Sequence, residues 1–163
     1  MNFKKSLGKL HSDPSFIKWK RANKNCYLIY GFYSDDGNIK SEWQLGYYDK
    51  ESDMITAFAV NDTIQRNPET KAFKDGGVIE ELKVEDVKTP MTEAISCAEE
   101  IQKSQYDQHC PVKKIIVLQK LPIGLVWNIT YITKTFNTLN MKIDALTGKV
   151  LKHELVSVFR VEK

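Results

Sequence analysis

No stretch of this sequence approaches the run of about 18 apolar residues that reads as a membrane-spanning helix. Lys4 and Lys5 open the N-terminus, but no apolar core follows them, so the segment is not a signal peptide. On that reading the chain is cytoplasmic, or envelope-associated if a leader or an anchor belongs to a longer form. Cysteine is scarce and unpatterned. Cys26, Cys97 and Cys110 are an odd number without CxxC spacing, which argues against a disulfide framework and leaves at most one bridge and a free thiol. No glycine-rich phosphate loop is present, because Asp75-Gly76-Gly77 is too short and leads into an expected strand rather than a helix. The Asn-x-Thr patterns at Asn61 and Asn128 carry no weight, since the second falls inside an expected strand.

Reactive side chains are equally few. His11, His109 and His153 are scattered, and a metal site needs three or four converging ligands that no spacing here supplies. His109 adjoins Cys110, but neighbours on an extended chain point to opposite faces, so neither can activate the other. Glu80-Glu81 and Glu99-Glu100 diverge for the same reason and read as solubilising groups. His153 shares a strand face with Leu151 and Leu155, where a half-buried, hydrogen-bonded histidine is expected. The expectation is a non-enzymatic chain with no catalytic residue, no cofactor and no metal.

What is present is core material. The 163 residues are 42% hydrophobic and 10% aromatic, which excludes disorder and allows one medium domain or two small ones. The net charge of +3 is too small to imply a polyanionic partner, but it is unevenly spread. Residues 1–24 carry Lys4, Lys5, Lys9, Lys18, Lys20, Arg21 and Lys24 against Asp13 alone. Residues 75–101 carry Asp75, Glu80, Glu81, Glu85, Asp86, Glu93, Glu99 and Glu100 against Lys83 and Lys88.

Capping signals and periodicity set out the elements. Asp13 before Pro14 starts a helix that runs to about Ala22, with a looser helical stretch before it. Strands follow at Cys26 to Tyr33, Glu42 to Tyr48 and Met54 to Val60, separated by Asp-Gly and Ser-Asp turns. Residues 61–77 read as a loop and Val78 to Val84 as a weaker strand. Thr89 caps a second helix, with Pro90 at its first position. Its face of Met91, Ala94, Ile95, Ala98 and Ile101 continues to about Tyr106. Four strands close the chain, at Val112 to Gln119, Leu125 to Lys134, Leu139 to Asp144 and Val150 to Val158.

The order of helix then strands occurs twice. Trp43-Gln-Leu-Gly-Tyr47 and Trp127-Asn-Ile-Thr-Tyr131 stand 84 positions apart, as do Cys26 and Cys110. Period-two spacing puts each Trp, aliphatic residue and Tyr on one strand face, where a crossing helix would bury them. The expectation is an α+β fold of two tandem units, residues 1–85 and 86–163, each a helix on an antiparallel sheet.

In the second half, the helix Thr92-Glu-Ala-Ile-Ser-Cys-Ala-Glu-Glu-Ile101 precedes the strand Val126-Trp-Asn-Ile-Thr-Tyr131. The hairpin Met141-Lys-Ile-Asp-Ala-Leu-Thr-Gly-Lys-Val-Leu151 follows. This succession resembles the PepSY domain, clearest over residues 89–158, with the first half as a degenerate copy. Asp144 can accept hydrogen bonds from amides of its own turn, and Gly148 can adopt positive φ. The resemblance implies a cystatin-like fold and a non-catalytic binding or inhibitory module associated with peptidases or envelope proteins. The first half departs from it, with Glu51-Ser52-Asp53 in place of the Thr-Gly turn. No binding residue carries over, because the matching residues are structural.

Two surfaces remain as candidates. One is the tyrosine-rich strand set, from which Tyr30, Tyr33 and Tyr48 are taken as outward-facing, suited to a protein or peptide partner through a sheet face or edge. That face could equally be where the halves pack or where two chains form a homodimer. The other is the basic helix with Lys18, Lys20 and Arg21, interleaved with Phe16 and Trp19, suited to a nucleic acid or an anionic surface. An enzyme with an open-faced sheet as its pocket would need a polar cluster that the sequence does not show.

Overall fold

The computed structural model describes residues 2–72 and 77–159. Helix α1 spans Phe3–Ser12, and the Asn2 side chain caps it by accepting from the Lys5 amide at 2.9 Å. Phe3, Leu7 and Leu10 repeat at spacings of four and three, which gives one buried stripe. Asp13 then separates two helices. A residue before proline is pushed out of the helical region, and Asp13 is extended (φ −76°, ψ 127°). Its amide donates to the Leu10 carbonyl, while its carboxylate accepts from the amides of Ser15 and Phe16 and so caps α2, Pro14–Ala22. The looser helical stretch is thus a full helix, joined to the expected one at a single residue.

The strands are β1 (Tyr27–Asp35), β2 (Trp43–Asp49), β3 (Met54–Val60), β4 (Ile64–Arg66), β5 (Thr70–Lys71), β6 (Pro111–Leu121), β7 (Gly124–Thr133), β8 (Asn137–Asp144) and β9 (Val150–Ser157). Helix α3, Met91–Gln105, lies between β5 and β6. All strands pair antiparallel in one sheet of order β4-β3-β2-β1-β6-β7-β8-β9, with β5 also on β3. The α+β class is as expected. The first strands of the two halves, β1 and β6, pair from Tyr30↔Gln119 to Asp35↔Lys114, so the halves share a single sheet.

Three local expectations are corrected. Residues 61–77 are not all loop, because β4 and β5 hydrogen-bond back onto β3; residues 73–76, including Asp75 and Gly76, lie outside the described residues. Val78 to Val84 is not a strand. Val78 is 80% exposed, and the segment is held by Ile79, whose carbonyl accepts from the Tyr27 hydroxyl at 2.7 Å, and by Leu82, buried and donating its amide to the Leu28 carbonyl. A single 3-10 turn, Val84–Asp86, follows, and the expected boundary at 85/86 falls in it. Thr89 is not the cap of α3. Pro90 holds that position without a side-chain bond, because the Thr89 backbone is used elsewhere: its amide donates to the Ala145 carbonyl, and its carbonyl accepts from Trp127 Nε1 at 2.9 Å.

All three helices lie on one face of the sheet, and the core beneath them is continuous across both halves. Trp43, Leu45, Tyr47, Trp127, Ile129 and Tyr131 are all buried there, as the repeated strand pattern requires. The two tryptophan rings stand 6.4 Å apart, and Phe3 from α1 meets both edge-on at 5.4 and 6.5 Å. Gly31 makes room for that ring, since a Cβ there would collide with Phe3. Cys26 and Cys110 are not structural equivalents, the first being buried and the second exposed.

Candidate functional site

Alternation along the strands sends every second side chain to the face that the helices leave uncovered. At its centre three strands align. Gln44, Phe32 and Val117 stand in one row across β2, β1 and β6, which continues to Asn128 and Lys142 on β7 and β8. The next row is Gly46, Tyr30 and Gln119. The Tyr30 ring lies over Gly46, where a Cβ would overlap it, so the glycine is what lets this tyrosine pack down onto the sheet. Burial raises the Tyr30 pKa and keeps the phenol neutral. Tyr30, Phe32, Gln44, Val117 and Gln119 line a shallow depression of about 390 Å³.

Polar groups on this face divide into satisfied and free. Asn140 donates to Asn128 Oδ1 at 2.7 Å and to Thr130 Oγ1 at 2.9 Å, and Lys142 donates to Asn140 Oδ1 at 2.6 Å. The side-chain amides of Gln44 and Gln119 make no hydrogen bond with any described residue, and both are half-buried beside Phe32 and Tyr30. Two free amides on an aromatic floor can each donate to and accept from a ligand's peptide groups.

The structure separates the six residues expected from sequence. Tyr30 is on the open face. Tyr33 is on the helix side, 5.4 Å from the Trp43 ring, with its pKa raised by burial and then by Asp35. Tyr48 is only 1% exposed; it packs with Ile29 and Ala72, and its hydroxyl donates to Asp53 Oδ1 at 2.7 Å. The tyrosines therefore do not form one exposed patch. Alternation places Tyr30 and Tyr33 on opposite faces, and Ala72 and Ile79 pack in the cluster that buries Tyr48. Phe32, Gln44, Val117 and Gln119 were not singled out from sequence, because only the β1–β6 pairing brings the two halves together. Lys18 and Arg21 are exposed and Lys20 is half-buried on α2. Lys20, Arg21, Lys24 and His11 surround Phe16 and Ile17 in a second depression of about 480 Å³. Among the described residues, neither Lys20, Arg21 nor Lys24 forms an ion pair.

Two of the histidines bond to tyrosines. His11 Nε2 is 2.9 Å from the Tyr47 hydroxyl, and its ring stacks on Phe16. Burial raises the Tyr47 pKa, so the phenol keeps its proton and can donate to the imidazole. Burial, and then the Lys20 charge, lower the His11 pKa and favour that neutral imidazole. His153 is half-buried as expected and lies 2.7 Å from the Tyr106 hydroxyl through Nδ1. His109 turns to Thr135 and Cys110 to the Asp107 carbonyl, so the two stay unpaired. Among the described residues, no group of three His, Cys, Asp or Glu side chains could hold a metal ion, and no helix is long and apolar enough to cross a membrane.

No protein-family model matches the chain, and no curated protein matches it by sequence. Among solved structures, it is similar to a Clostridium difficile 630 protein described as a "putative lipoprotein", with a TM-score of 0.54 and 15% identity over 86% of this chain and 90% of that one. At that identity the likeness is one of fold, and it accords with the α+β architecture.

Proposed function

We propose that the chain is a non-catalytic binding module that takes an extended, largely uncharged peptide segment of a protein partner on its open sheet face. The observation that carries this reading is the pair of free amides, Gln44 and Gln119, set beside Tyr30, Phe32 and Val117 on a face without a helix layer. Aromatic and aliphatic floor atoms supply apolar contact, and the amides supply orientation. The resemblance of residues 89–158 to PepSY domains supports the same class of function, and the like order of elements in the two halves supports a tandem origin for the face. Selection from a displayed library of random peptides tests it. Wild type enriches a consensus with apolar residues at alternate positions, and a Phe32→Lys/Val117→Lys variant of unchanged Tm enriches none. Enrichment that the variant leaves undiminished would overturn the reading.

A second reading is favoured by the cluster of Lys20, Arg21 and Lys24 around Phe16 and Ile17. It makes α2 a contact for a nucleic acid or another anionic surface. Its test is salt-sensitive retention on single-stranded DNA or RNA, lost when Lys18, Lys20 and Arg21 are replaced by glutamine. Retention that persists in that variant would discard it.

A further inference from the structure

We infer that the free edge of β9 is a self-recognition surface, which joins two copies of this chain in an antiparallel pair centred on His153. β9 ends the sheet, hydrogen-bonded to β8 alone, and among the described strands none lies beyond it. At the other end β4 is only three residues long, whereas β9 has eight, so β9 is the long unpaired edge. Such an edge is a template for a further strand, and its one irregularity, a register shift against β8 between Lys142 and Ile143, falls at Leu151, the end of the stretch that pairs.

The sequence of that edge is complementary to itself. Residues 151–155 read Leu-Lys-His-Glu-Leu. Antiparallel pairing of two copies about His153 sets Leu151 opposite the second copy's Leu155, and Lys152 opposite its Glu154, in both directions. Leu155 packs on the core, and Leu151 is half-buried. Lys152 and Glu154 reach solvent on the open face, 55% and 47% exposed, where within one chain they make only a loose 3.7 Å pair along the strand. Moving the register by two residues either way sets Lys152 against Lys152, or Glu154 against Glu154. A parallel in-register pair does both. The charges therefore admit one register and penalise the neighbouring ones.

The two-fold axis of an antiparallel pair is perpendicular to the sheet, so both helix layers fall on the same side and the sheet continues without a break. The chain already uses such a junction internally, at β1 and β6. The contact is short, which places it in the class of small, concentration-dependent interfaces.

Sedimentation of the full chain tests this, with Lys152→Glu, Glu154→Lys and the double exchange as variants. Wild type passes from monomer to dimer as concentration rises into the millimolar range. Each single exchange turns two attractive cross-strand pairs into repulsive ones and weakens the dimer at least about tenfold. The double exchange restores it, and an equimolar mixture of the two single variants forms the heterodimer. Wild type that stays monomeric, or a dimer indifferent to the single exchanges, would overturn the inference. An unchanged Tm in each variant shows that the fold itself is intact.

Discussion

Two tyrosines in matching positions have different surroundings, and the difference predicts opposite responses. Tyr47 is bonded to His11 Nε2 at 2.9 Å, whereas the buried Tyr131 hydroxyl has no described hydrogen-bond partner. Tyr47→Phe removes the imidazole's hydrogen-bond partner and should cost about 1 kcal/mol. Tyr131→Phe removes an unsatisfied group and should fall within about 0.5 kcal/mol of wild type, or stabilise it. Urea denaturation of the two variants decides this, and equal losses would contradict the assignment. His11 adds a pH signature. Its folded-state pKa lies below the ordinary 6.5, so its contribution is complete above that pH and is lost as pH falls toward the lower folded-state value. The Tm should decline through that window in wild type and decline less in His11→Phe. The Tyr47–His11 bond was not legible in the sequence, because the two residues are 36 positions apart and meet only where α1 crosses β2.

At the scale of elements, the β8–β9 hairpin was legible because its determinants are local. Asp144 accepts from the amides of Leu146 at 2.7 Å and Thr147 at 2.9 Å, and Gly148 has φ 76°. Asp144→Ala should cost roughly 1–2 kcal/mol and Asp144→Asn less, while Gly148→Ala should cost about 1 kcal/mol from the left-handed backbone alone. Thermal denaturation compares the three, and no loss in Asp144→Ala would contradict this account of the turn. The start of α3 was misread for the opposite reason. Thr89-Pro90 is a good local cap pattern, but the Ala145 carbonyl and the Trp127 indole, distant in sequence, claim the Thr89 backbone. Strands β4 and β5 were illegible because they are short, polar and defined only by their pairing with β3.

For the whole molecule, the shared sheet and core imply one cooperative unit. Trp43 and Trp127 belong to different halves and lie in one cluster, with Phe3 packed against both. Thermal unfolding should be a single transition with equal calorimetric and van't Hoff enthalpies; two resolved transitions would show that the halves fold separately. The helix-then-strands order of each half could be read from capping and period-two patterns. How the halves join could not, because Phe32, Tyr30, Val117 and Gln119 read only as ordinary strand residues until β1 lies beside β6. The open face is a product of that junction. Its occupation is best followed through the side-chain amide resonances of the glutamines, during titration with a peptide from the displayed library. The amides of Gln44 and Gln119 should shift, while those of the exposed Gln105 and Gln108, at the end of α3, stay in place. Shifts confined to α2 or to the β9 edge, with Gln44 and Gln119 unmoved, would contradict a peptide site on the open face.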